Sequence, residues 1–209
     1  MLKTFFTLWK NSLRRQWPVY FIVILVFSLG LAAGYAGVQK LQTDQTEQLQ
    51  TEIDLFLQHA SMLEIDFPMA ARNVLYNGMI LVAAIYLLGL TVIGIPLVLA
   101  ILFVRGFALG FAIEFLSGEK SMQDTVLTLA AVLPHNIVMI PALLFAGAAS
   151  LSFAWLLFKR FHNSKIKVWP SFVAYSWMMV LVMACFAGAG LVEVYLTPFL
   201  IKVAASYVF

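Results

Sequence analysis

Between Val126 and Phe158 the chain is almost uninterruptedly apolar, except that Pro134, His135 and Asn136 stand in a row inside it. A transmembrane helix needs about 20 apolar residues, and this run is well beyond that. Proline lacks a backbone N–H and disfavours helix in the residue before it. The side chains of His135 and Asn136 are costly in lipid, and a second proline, Pro141, follows closely. The spacing predicts a re-entrant half-helix ending at Leu133, a break, and a full span over 136–158. Irregular backbone at membrane depth survives only where protein or water covers it. The stretch is therefore expected to face a bundle interior.

Composition fixes the class. Hydrophobic side chains make up 63% of the 209 residues and charged ones 11%, against about 45–50% and about 25% in soluble domains. The apolar residues come in blocks long enough to span, not in the short alternating strands of an outer-membrane barrel. An all-α, polytopic membrane protein is expected. No small-residue cleavage site follows a short apolar core near the start, so no cleavable signal is expected. Cys185 is the one cysteine, which excludes a disulfide framework and a cysteine-rich metal site. The basic residues fall in two short juxtamembrane segments, and no nucleic-acid fingerprint accompanies them.

Taken in order, Leu2, Phe5, Phe6, Trp9, Leu13 and Trp17 recur at helical steps opposite Lys3, Lys10, Arg14 and Arg15. This predicts a cytoplasmic interfacial amphipathic helix over 1–17. Pro18 opens the first span, 18–38, whose Gly30, Gly34 and Gly37 give a small-xxx-small pattern. Gly106 and Gly110 repeat the spacing later. Either pair of faces can serve packing within the chain or a homo-oligomer. Residues 39–72 hold Asp44, Glu47, Glu52, Asp54, Glu64 and Asp66 against Lys40 and Arg72. There Leu49, Ile53, Phe56, Leu57 and Ala60 keep helical spacing, predicting an extracytoplasmic amphipathic helix with an acidic face. Its apolar stripe either binds a partner protein or rests on the chain's own spans. Further spans are expected over 73–93, 94–116 and 171–192. An outer loop with the half-helix occupies 117–135, a basic loop 159–170, and a C-terminal tail 193–209. Five spans result.

Orientation follows from the lysines and arginines of short loops. Placing the N-terminus and the loop after Phe158 in the cytoplasm gathers Lys3, Lys10, Arg14, Arg15, Lys159, Arg160, Lys165 and Lys167 on one side, with no acid among them. The acidic segment and the C-terminus then lie outside.

No constellation carries catalysis. Arg105, about 12 Å into the third span, either snorkels or pairs within the bundle. Glu114 lies on the opposite helix face and is not its partner. His135 has no second histidine or thiolate beside it, so no metal site is expected. The spans show no GxSxG and no paired aspartates, and no Walker sequence occurs. Asn73 and Asn77, one turn apart, are expected to hydrogen-bond carbonyls freed by Pro134, with Asn136, Pro141 and Arg105 as further packing elements of the break. No cofactor is implied.

From Ala71 to Phe158 the order of features resembles the stage II sporulation protein M family. The resembling segments are ARNVLYNG, then GLTVIGIPLVLAILFVRGFALG, then LPHNIVMIPALLFAGAASL. Where many relatives carry glycine after the histidine and an acid before the second proline, this chain has Asn136 and Met139. The resemblance implies a non-enzymatic scaffold in the cell membrane. In spore formers such a scaffold localises two peptidoglycan hydrolases, an amidase/endopeptidase (protein P) and a lytic transglycosylase (protein D), at the septal membrane during engulfment. Leu49, Glu52, Ile53, Asp54, Phe56, Leu57 and Ala60 are then the candidate partner-binding residues. The competing reading is a permease-like subunit of an ABC-type transporter that works with a separate ATPase.

Overall fold

In the computed structural model, residues 2–40, 67–117, 122–162 and 168–191 are described, with side chains over 17–40, 76–115, 136–161 and 168–190. Five helices make up the described chain: α1 (Leu2–Val38), α2 (Phe67–Gly89), α3 (Gly94–Ser117), α4 (Met122–His162) and α5 (Trp169–Leu191). Among the described residues, four stretches are long and apolar enough to cross a membrane: Trp17–Val38, Gly94–Phe115, Asn136–Phe161 and Trp169–Gly190. The chain is a multi-pass membrane protein of the helical class. The expected span over 73–93 coincides with most of α2, a 23-residue helix whose described side chains form the apolar stretch Tyr76–Gly89. Its helix stops at Gly89, and Leu90–Ile93 form a turn instead of prolonging the span.

Two expected interruptions are absent. Helix α1 passes through Pro18 without a break, so the predicted interfacial segment and first span form one 37-residue helix. Helix α4 likewise runs continuously for 41 residues through Pro134 and Pro141, in place of a half-helix, a break and a span. A proline forfeits one backbone bond, to the carbonyl four residues back, while the bonds on either side survive. In a membrane helix that loss is tolerated, because lipid offers the backbone no better partner than the helix itself. The predicted acidic helix over 39–72 falls largely outside the described residues, and wholly outside them are the side chains of the 117–135 loop, the loop lysines Lys165 and Lys167, and the tail after Leu191.

Helices α1 and α3 form the tightest pair, and glycine is the reason. A Cβ on Gly30 would land on the carbonyl oxygen of Phe103, and one on Gly34 on that of Phe107. Reciprocally, a Cβ on Gly106 would meet the Phe27 carbonyl and one on Gly110 the Leu31 carbonyl. Both partners advance by four residues together, so the helices run parallel with their backbones in contact. Apolar side chains gain nothing from leaving lipid for each other, so close backbone approach supplies the van der Waals and Cα–H···O contacts that hold such pairs. The glycine spacing that left packing and self-association open serves packing within the chain.

The core joins all five helices. Val23 of α1, Val82 and Ile85 of α2, Val98 and Leu102 of α3 and Leu143 of α4 are fully or almost fully buried, and Tyr175, Met179, Val182 and Phe186 extend this core along α5. Leu102 lies against Gly147, where a Cβ would come within 2.7 Å of it. Helices α2 and α5 are antiparallel: Gly89 faces Tyr175, and Gly78 faces Phe186. Helix α2 thus lies alongside a membrane-spanning helix over much of its own length.

Candidate functional site

Polar groups converge where α2 ends. The last four carbonyls of a helix have no intrahelical partner, and in lipid water cannot supply one. Here the carbonyls of Tyr86, Leu87 and Leu88 are each met, and that of Ile85, which has its own helical N–H, receives a further donor. The Tyr175 hydroxyl of α5 donates to the Tyr86 carbonyl at 3.0 Å and lies 3.4 Å from that of Ile85. The Ser150 hydroxyl of α4 donates to the Ile85 carbonyl at 3.1 Å. Leu90 N–H donates to the Leu87 carbonyl at 3.2 Å, and Thr91 N–H to that of Leu88 at 3.0 Å. The Thr91 hydroxyl also donates to Leu88, at 3.0 Å. It accepts from Gly94 N–H at 3.1 Å, so one side chain closes α2 and opens α3. Pro96 sits in the first turn of α3, where its missing N–H costs no helical bond.

Aromatic rings hold these hydroxyls in place. Tyr175 stacks on Tyr86 with centroids 5.3 Å apart and on Phe153 at 4.8 Å. The Tyr86 hydroxyl is itself 3.0 Å from that of Ser176. Gly89 makes the site possible: a Cβ there would occupy the positions of both the Tyr175 and Ser150 hydroxyl oxygens. All these groups face backbone or one another; Tyr175 and Ser150 are buried, Tyr86 and Ser176 partly buried, and Thr91 exposed. The arrangement can fix three helices to one another; it presents no nucleophile with a base.

The residues predicted from sequence fall elsewhere. Pro134 and His135 lie within continuous α4, and their side chains, like that of Asn73, are outside the described residues. Asn136 is half-buried and Asn77 exposed. Among the described residues Asn77 makes no hydrogen bond, so it does not serve the Pro134 carbonyls. The geometry explains why. Tyr175 packs near Ser150 and Phe172 near Phe153, so α4 is antiparallel to α5 and parallel to α2. Ile85 meets Ser150, and Asn77 lies ~12 Å before Ile85. That places it near Ala142, well short of Ala130, whose carbonyl Pro134 leaves free.

Arg105 lies midway along α3, which begins at Gly94. It is the twelfth of the 24 residues of α3, with ~16 Å of helix on either side. A cation at that depth costs about 2.5–3.5 kcal/mol on insertion scales. Among the described residues it has neither an ion pair nor a hydrogen bond. Glu114, as expected, is not its partner; it accepts from the Gln39 amide at 3.5 Å.

The family model for stage II sporulation protein M matches residues 23–198. The chain belongs to the stage II sporulation protein M family. No curated protein and no solved structure matches it. The family match is wider than the stretch from Ala71 to Phe158 that carried the resemblance, taking in the C-terminal part of α1 from Val23 onward and all of α5. Within this family member the glycine pairs of α1 and α3 and the hydroxyl cluster at the end of α2 both lie in the matched region. Sequence reasoning passed over Tyr86, Ser150, Tyr175 and Ser176. A hydroxyl in a span signals an interhelical bond, but four such residues on three helices show no common spacing along the chain.

Proposed function

We propose that this chain is a non-enzymatic membrane scaffold that anchors and localises peptidoglycan hydrolases at the septal membrane. By resemblance to the sporulation system these are an amidase/endopeptidase (protein P) and a lytic transglycosylase (protein D). The family match over residues 23–198 carries the reading. The helix bundle is consistent with it: its most intimate contacts are glycine backbones and hydroxyl caps, devices that make a stiff platform and leave its surface for docking. In this reading the N-terminus is cytoplasmic and the C-terminus extracytoplasmic. Trp155, Phe158, Lys159 and Arg160 are exposed near the end of α4, with the Lys159 ammonium 5.7 Å from the Trp155 ring, a pairing suited to a headgroup layer and, in this reading, the cytoplasmic one. The acidic segment around Leu49, Glu52, Ile53, Asp54, Phe56, Leu57 and Ala60 then faces the wall and its hydrolases.

The permease-like alternative requires a cytoplasmic surface for an ATPase, and the turn between α2 and α3 is only Leu90–Ile93. Co-purification decides between the two. The full chain is expected to capture wall hydrolases from native membranes, and deletion of residues 44–66 to abolish that capture. Retained capture by the deletion variant, or recovery of a nucleotide-binding subunit instead, defeats the scaffold reading.

A further inference from the structure

Helices α2 and α3, though joined by a four-residue turn, do not close on each other along their outer face. A groove of about 370 Å³ opens between them, lined by Leu81 and Leu88 of α2 and by Leu97, Ile101, Val104 and Arg105 of α3. Leu97, Ile101 and Arg105 recur every fourth residue and so form one stripe. Arg105 lies at the end of that stripe away from the turn. Apart from its guanidinium the groove is hydrocarbon. Val104 is 61% exposed and Leu97 49%, so the groove opens toward the surroundings of the bundle.

We infer that this groove seats a transmembrane helix of a partner protein that carries an aspartate or glutamate at mid-membrane depth, paired with Arg105. Charge complementarity selects the occupant. An arginine side chain carries a fixed positive charge, and charged residues inside membrane segments pair or face water. Here the guanidinium has no anion among the described residues. A lipid phosphate is out of reach, because ~16 Å of helix separates Arg105 from either end of α3 and the side chain spans less than half of that. A second copy docked symmetrically through the same groove would set two Arg105 guanidinium groups against each other, a repulsion that low dielectric amplifies. A carboxylate on an apolar helix satisfies both the charge and the hydrocarbon walls. The inference is independent of what the extracytoplasmic segment binds.

Site-directed disulfide trapping tests it. The full chain with Cys185→Ser and Val104→Cys is reconstituted in phosphatidylcholine vesicles with a Leu/Ala transmembrane peptide of about 20 residues. The peptide carries a mid-span Glu next to a Cys. Oxidation is expected to couple the two. Replacing the peptide's Glu by Leu, or Arg105→Leu in the chain, should each lower the yield by about tenfold. Ala100 also lines the groove; Ala100→Trp, which fills it and leaves Arg105 in place, should lower the yield similarly, and Arg105→Glu should restore coupling to a peptide bearing Lys. Equal yields with Glu and Leu peptides, or coupling that survives Arg105→Leu, overturn the proposal. So does chain-to-chain coupling through position 104, which makes the occupant a second copy. Loss of coupling when phosphatidylglycerol replaces phosphatidylcholine assigns Arg105 to lipid phosphate and overturns it equally.

Discussion

Tyr175 donates its hydroxyl to the carbonyl of Tyr86 across 3.0 Å, so a side chain of α5 closes the last turn of α2 while the two rings stack at 5.3 Å. Tyr175→Phe keeps the ring and removes the donor, leaving the partly buried Tyr86 carbonyl without it. The expected loss is about 1–2 kcal/mol in a reversible detergent-unfolding titration. Ser150→Ala should lose less, because the Ile85 carbonyl keeps its own helical N–H. Equal losses for the two variants would mean that helix closure is not what Tyr175 provides.

Gly89 tests the same site sterically. A methyl group there displaces the hydroxyls of both Tyr175 and Ser150, so Gly89→Ala should cost about 1–3 kcal/mol of overpacking, with the lost hydrogen bonds in addition. Gly188, on α5, faces open space, and a methyl group there would meet nothing within 4 Å. Gly188→Ala is accordingly expected to be neutral or slightly stabilising, since alanine favours helix by about 1 kcal/mol. Melting temperatures of the purified variants in one detergent make the comparison.

The backbone contact between α1 and α3 predicts a graded series. Gly34→Ala and Gly106→Ala each push a methyl group into a carbonyl of the opposite helix and should each destabilise by about 1–3 kcal/mol. Gly37→Ala, whose methyl would sit 3.6 Å from the Phe107 ring, should be nearly silent. Because the contact lies within one chain, the destabilised variants should keep the oligomeric state of the parent. Light scattering that showed a change of mass in Gly34→Ala would assign the glycines to an interface between copies.

The sequence reveals those features whose cause is local. Long apolar blocks announce the membrane class, glycine at four-residue spacing announces close helix contact, and Gly94 with Pro96 announces the turn before α3. What stays hidden depends on residues far apart in the chain. Nothing near Gly30 says that its partner is Phe103 of this molecule and not another copy. Nothing near Tyr175 says that it will cap a helix ninety residues earlier. Pro134 misleads for the opposite reason: its local signal is strong, but in an apolar medium a helix with one missing bond outcompetes an unfolded break with several unpaired groups.

Pro134 therefore supplies a decisive measurement. If α4 were broken there, as the row of Pro134, His135 and Asn136 suggests in isolation, the proline would fix the shape of the break, and replacing it would disturb the bundle. The helix instead continues from Met122 to His162, so the proline only withholds one N–H from the carbonyl of Ala130. Pro134→Ala restores that bond and should stabilise the protein. The gain should fall well below the ~3 kcal/mol by which alanine exceeds proline inside a helix in water, because membrane helices accommodate the defect through neighbouring groups. Hydrogen exchange of the amides just after position 130 is expected to slow in the variant while the rest of α4 is unchanged. A fall in melting temperature with Pro134→Ala, or fast exchange across residues 131–136 in the parent chain, would restore the broken helix that the sequence suggested.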